Sequence, residues 1–146
     1  MRSNHGGYHG PMDLVLDEAV LRAAGVRLVV VFGSAARGAD RPDSDLDVGV
    51  LFDGAGRAPL LGEPAEPFEA RREAVADALR ADREIDLVVL DEVDPLLLHE
   101  VAVDGRPVFQ AEPGIFEEFR IRAIKRYFDT AWIRRIEADV LRRRYG

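Results

Sequence analysis

Hydrophobic positions change their rhythm several times along the chain, and each change predicts an element. Between Asp13 and Ala24, Leu14, Val15, Ala19, Leu21 and Ala24 recur at roughly helical spacing, and Gly25 supplies a stop. Val26 to Phe32 (VRLVVVF) is a β-branched run typical of a buried strand. Gly33 to Ser44 is rich in Gly, Asp, Pro and Ser, so it reads as a connection with work to do. Asp45 to Phe52 (DLDVGVLF) then predicts a second strand, with Asp45, Asp47 and Gly49 on one face and Leu46, Val48 and Val50 on the other.

After the Gly/Pro-rich loop Asp53 to Pro67, Phe68 to Asp82 predicts an amphipathic helix with Phe68, Val75 and Leu79 apolar among charges. Ile85 to Leu90 (IDLVVL) predicts a third strand. A short helix over Pro95 to Val103, closed by Asp104-Gly105, leads to an edge strand over Arg106 to Gln110. Beyond Pro113-Gly114 a single long helix is expected from Ile115 to Arg143. Two consecutive strands without an intervening helix depart from a simple βαβ pattern. The expected fold is therefore α/β (α+β), a small mixed sheet backed by helices with a long C-terminal helix. Residues 1–11 are expected to be a disordered leader and residues 12–146 one domain.

Composition narrows the function classes. The 146 residues suit one domain, and 47% hydrophobic with 32% charged residues is a globular balance. A net charge of -7 argues against a surface devoted to nucleic acid or an anionic membrane. With no cysteine, a disulfide scaffold, a thiolate metal site and a cysteine nucleophile are excluded. The apolar run Leu28 to Phe32 is far short of the roughly 20 residues that cross a bilayer. The polar, Gly-rich start lacks a signal-peptide core, so a soluble, cytoplasmic protein is expected.

Candidate chemistry gathers in two places. Gly33-Ser34 stands at the exit of the first strand, where backbone N–H groups and a hydroxyl can hold phosphate oxygens and a missing Cβ lets a ligand approach. Asp45 and Asp47 stand side by side on one strand face, where their like charges repel unless a divalent cation such as Mg²⁺ lies between them. Asp86, in an otherwise apolar strand, completes the site if that strand lies alongside. Three carboxylates and a phosphate cradle are the inventory of metal-assisted phosphoryl or nucleotidyl transfer, in which two metals about 3.5–4 Å apart clamp the attacking and leaving oxygens.

Gly33-Ser34, ten intervening residues and Asp45-Leu46-Asp47 resemble the signature of the polymerase-β-type nucleotidyltransferases. The fuller string GSAARGADRPDSDLDVGV is similar to the minimal nucleotidyltransferase (MNT) branch, the antitoxins of HEPN–MNT toxin–antitoxin systems. The resemblance implies ATP as substrate and Mg²⁺, with two ions expected. By position it implies that Ser34 holds the triphosphate with Gly33 giving it room. It gives Asp45 and Asp47 to the metals, and Asp86 to metal binding and activation of the attacking hydroxyl. Arg37 and Ser44 follow as phosphate contacts. It also implies the reaction, transfer of AMP from ATP to a tyrosine hydroxyl of a HEPN RNase toxin, which is thereby neutralised. Two other readings stand beside it: an inert antitoxin that masks its toxin by binding, and a nucleotidyltransferase acting on a small, aminoglycoside-like molecule.

The remaining candidates have plainer expectations. Asp40 and Asp43 read as loop-solvating, Asp91 and Asp94 as turn and helix-cap residues, His5 and His9 as part of the leader, and His99 as a helix-surface residue. On the terminal helix, Phe116, Phe119, Ile124, Tyr127, Phe128, Ala131, Trp132, Ile136 and Leu141 exceed what one outer helix buries. Part is expected on the sheet. The rest, interleaved with Arg120, Arg122, Arg126, Arg134 and Arg135, is expected to form a partner surface. Alternatively, Arg142 to Arg144 simply complement the helix dipole; an RNA-binding patch is disfavoured by the net charge.

Overall fold

Leu14 and Leu16 point inward while Val15 is exposed, and this alternation makes a short strand, β1 (Val15–Leu16), where the pattern predicts the start of a helix. The helix α1 (Glu18–Ala23) begins only after Asp17, whose carboxylate accepts the Val20 N–H at 3.2 Å. That cap fixes where helical geometry can start. The computed structural model describes residues 14–38, 44–52 and 66–145. The expected leader with His5 and His9, the loop residues Asp40 and Asp43, and residues 53–65 lie outside the described residues.

Strand β2 (Val26–Phe32) is followed by a single helical turn, α2 (Gly33–Ala36), and then by β3 (Leu46–Phe52). Asp45 precedes β3 by one residue and is exposed, so the strand is shorter than expected by that acid. The helix α3 (Glu66–Ala78) starts and stops earlier than its pattern predicts, because Leu79 and Arg80 leave it to form β4 (Leu79–Arg80), which pairs with β1. Strand β5 (Ile85–Val89) ends at Val89, Leu90 passing into a 3-10 turn. Helix α4 (Pro95–Asp104) is capped by Asp94, which accepts from Leu96 and Leu97 N–H at 2.9 and 3.0 Å, the cap its sequence suggests. Strand β6 (Arg106–Gln110) follows at the sheet edge.

The main sheet has the order β5-β3-β2-β6. β3 runs parallel to β5 and antiparallel to β2, which is antiparallel to β6. The sheet is mixed, as expected. One face carries Val29, Val31, Leu46, Val48 and Val50 onto Leu21, Val75 and Ala78 of α1 and α3. The other carries Leu28, Val30 and Phe32 onto Leu98, Val101 and Phe119 of α4 and the next helix. With helices on both faces, β2 has no solvent side from Leu28 to Phe32, which is the physical reason for the unbroken apolar run there.

The expected terminal helix is two. α5 (Ile115–Asp129) stops at Thr130, and α6 (Ala131–Tyr145) starts again beyond it. The Thr130 hydroxyl lies 3.0 Å from the Arg126 carbonyl and 3.2 Å from that of Tyr127, a back-bond that bends helices. Arg134 donates to the Tyr127 carbonyl at 2.6 Å, taking the acceptor that a continuous helix would give to residue 131. Phe116 and Phe119 of α5 are buried, whereas no residue of α6 is.

Candidate active site

Gly33 leaves β2 with φ of +72°, a conformation that side chains oppose. A Cβ at that position would collide with Oδ2 of Asp47. Phe32 and Asp47 are register partners across β2 and β3, so the turn after Phe32 is folded directly over the Asp47 carboxylate. The expectation that Gly33 spares a Cβ for a ligand is thereby refined: the room it leaves is taken first by an acid. Ser34 follows in the same turn and is half-buried.

Asp47 and Asp86 are register partners in the parallel pair β3 and β5, so their side chains share a face. Leu46, Val48 and Val50 fill the α1–α3 side, which turns Asp47 and Asp86 toward the α4 side. Asp47 is the electrostatic centre. Its pKa is raised, first by partial burial, then by the carboxylates of Asp86, Asp45 and Glu100, with Arg37 opposing. Each of the three expected acids thus bears on one point, although Asp45 and Asp86 are themselves exposed.

Two acidic residues that the sequence pattern did not single out belong here. Glu100 on α4 adds to the negative field at Asp47. Asp104, one turn further along, pairs with Arg37 at 3.2 Å and so ties the turn after β2 to α4. The signal was present as an i, i+4 acidic pair on a helix whose other side, Leu98, Val101 and Ala102, is buried. What could not be read was that α4 lies over the acids. Arg37, read as a phosphate contact, is half-exposed and engaged with Asp104, while its charge still reaches Asp47. Ser44 is half-buried immediately before Asp45.

The donor set suits a hard dication: carboxylate oxygens only, in a field negative enough to hold a proton on Asp47 longer than usual. Among the described residues no three such groups already close on one point as a cation cage. Mutual repulsion keeps bare carboxylates from closing in this way. A cavity of about 360 Å³ lined by Arg27, Phe52, Phe119, Arg122 and Arg126 lies at the other end of the strands, where Phe52 pairs with Val26, and does not serve the acids. His99, read as a surface residue, is half-buried and stacks on Tyr127 with ring centres 3.9 Å apart. Asp91 accepts the Phe52 N–H at 3.0 Å, holding the end of β3.

Comparisons with known proteins identify the family and the fold. The family described as "Polymerase beta, Nucleotidyltransferase" matches residues 17–113. No curated protein matches. Among solved structures, a toxin–antitoxin crystal structure with AMP-PNP contains a chain similar to this one, 27% identical at a TM-score of 0.58, over 85% of this chain and 94% of that one. A mutant of a toxin–antitoxin pair that includes MntA is 25% identical at 0.57, over 85% and 94%. A Shewanella oneidensis complex, described as a tri-AMPylated HEPN toxin with MNT antitoxin, is 22% identical at 0.53 over 85% and 92%, which shows a shared fold.

Proposed function

The chain belongs to the polymerase beta nucleotidyltransferase family, and from that premise we propose that it is an MNT-type antitoxin that transfers AMP from ATP to a tyrosine hydroxyl of a cognate HEPN RNase toxin. The observation that carries the reading is Asp47, with Gly33 folded onto it, Asp86 beside it in register, and the charge of Asp45 bearing on it. The toxin–antitoxin structure with AMP-PNP and the AMPylated toxin of the Shewanella oneidensis complex support it.

In the reaction the tyrosine oxygen attacks the α-phosphorus of ATP, the bond from that phosphorus to the bridging oxygen of the β-phosphate breaks, and pyrophosphate leaves. Ser34 and the backbone after Gly33 hold the triphosphate, with Ser44 and Arg37 as further phosphate contacts; Arg37 exchanges Asp104 for phosphate as it does so. Asp86, on the edge strand and exposed, takes the tyrosine proton. Asp45, Asp47 and Asp86 would hold Mg²⁺, two ions in this reading, which neutralises the triphosphate and the leaving pyrophosphate. The protein's part is positioning and electrostatics, since no covalent enzyme intermediate is needed.

Incubating the purified pair with ATP and Mg²⁺, then weighing the toxin by mass spectrometry, tests the reading. The toxin should gain one or more AMP units on a tyrosine, and Asp45→Asn or Asp47→Asn should abolish the gain. A toxin that binds but gains no mass would leave the masking alternative standing instead.

A further inference from the structure

Helix α6 turns its most apolar face away from its own chain. Trp132, Ile136 and Val140 follow one another at i, i+4, share a side with Ile133, and are 57%, 52% and 50% exposed. Arg134 grips the Tyr127 carbonyl at 2.6 Å and the Thr130 hydroxyl at 2.9 Å, and its guanidinium lies 3.8 Å from the Tyr127 ring centre. On a regular helix Arg134 is about 150° round from that stripe. The helix is therefore anchored by a polar side and presents an apolar one outward. A surface helix serving only its own core does the reverse.

Charge describes what would cover it. Residues 131–145 hold five arginines against two acids, in a chain of net charge -7. Arg142 pairs with Asp139, while among the described residues Arg135, Arg143 and Arg144 have no carboxylate partner. The complement is an apolar groove rimmed by carboxylates. The stripe offers roughly 400 Å², about half of what each side of a stable interface contributes, so its occupant must touch other parts of this chain as well.

The root of α6 also lies near the acids. Tyr127, gripped by Arg134, stacks on His99, and the next residue of α4, Glu100, acts on Asp47. Helix α4 thus links Tyr127, against which α6 is anchored, to the candidate active site.

We propose that α6 is the docking helix for the protein that receives AMP, lying with Trp132, Ile133, Ile136 and Val140 in an apolar, acid-rimmed groove of the toxin. This rests on the antitoxin reading above. It is tested with the full-length chain and its toxin by titration calorimetry and mass spectrometry, using the double variant Trp132→Ala/Ile136→Ala and the triple variant Arg135→Glu/Arg143→Glu/Arg144→Glu. Both should keep wild-type Mg·ATP binding and helix content while binding the toxin at least about 30-fold more weakly, with AMP transfer falling in step. Toxin binding and modification at wild-type levels by both variants would overturn the docking role. A wild-type chain that neither binds nor modifies the toxin defeats the antitoxin reading itself, and the docking with it. Self-association of the wild type lost in the double variant, or RNA binding lost in the triple variant, assigns the face to another occupant and overturns the proposal.

Discussion

Gly33 and Asp47 occupy one another's space: the Cβ that any other residue would place at position 33 is where the Asp47 carboxylate sits. Two features read separately in the sequence, the glycine after β2 and the second acid of the Asp45–Asp47 pair, are thus one contact. The turn after β2 is packed directly against the acid it covers.

Gly33→Ala should accordingly injure both halves of the site. The left-handed backbone at φ +72° alone costs about 1–3 kcal/mol once a Cβ is present. The displaced carboxylate should lower AMP transfer by at least about 100-fold. Thermal unfolding and a transfer assay read the two effects. Near-normal transfer by this variant would show that Asp47 has no fixed place in the reaction.

Asp47→Asn should separate stability from activity. The folded protein holds a proton on Asp47 at higher pH than the unfolded chain does. Stability is therefore lost as pH rises through the window between the unfolded and folded values, and the metal-free fold carries that loss at neutral pH. The asparagine should raise the metal-free Tm at pH 7 slightly, within about 3 °C, and the gain should vanish on acidification below the ordinary carboxylate range. Transfer should be abolished. A lower Tm at pH 7 would contradict the repulsion argument.

Mg²⁺ should act in the opposite sense. With Asp45, Asp47 and Asp86 as ligands, adding Mg²⁺ with a non-hydrolysable ATP analogue should raise the wild-type Tm, since a ligand bound only by the folded state stabilises it. The shift should be absent in Asp45→Asn/Asp47→Asn, and chelation should stop transfer. Equal shifts in both proteins would remove these acids from the ion's site.

Arg37→Ala tests the arm between α2 and α4. Its pair with Asp104 is largely exposed, and such pairs are worth about 0–1 kcal/mol, so Tm should move little. If Arg37 turns to phosphate during the reaction, KM for ATP should rise about 10-fold while toxin affinity stays unchanged. Asp104→Asn frees the guanidinium and should not raise KM.

Arg134→Ala should loosen α6 without unfolding the sheet. Trp132 is the sole tryptophan, so its fluorescence anisotropy reports α6 directly. The anisotropy should drop and amide exchange over residues 131–145 should quicken, with the main transition unchanged. Coupled loss of the whole fold would mean that α6 belongs to the core.

The main strands were legible because their apolar runs answer to a constraint felt along the chain itself. Leu28 to Phe32 must be apolar at every position when helices cover both faces, and Leu46, Val48 and Val50 must alternate when acids occupy the other side. The acids were legible for a similar reason: Asp86 interrupts an apolar strand, and Asp45 and Asp47 stand two apart, where like charges repel unless a cation joins them. Elements bounded by contacts rather than by pattern were read wrongly. β1 and β4 exist because Leu16 and Leu79 meet, and the long terminal helix breaks because Arg134 reaches back to Tyr127.

The chain's own order of residues determined the strands, the mixed sheet they build, and the kinds of group available for chemistry, because hydrophobic period and side-chain type act locally. Only the tertiary structure decided that Asp47 and Asp86 stand in register, that Gly33 closes over the first of them, and that Glu100 and Asp104 join from α4. Those relations bring together groups up to 67 positions apart, Arg37 and Asp104, across strands and helices. Charge repulsion and steric exclusion depend on distance through space, which packing alone supplies.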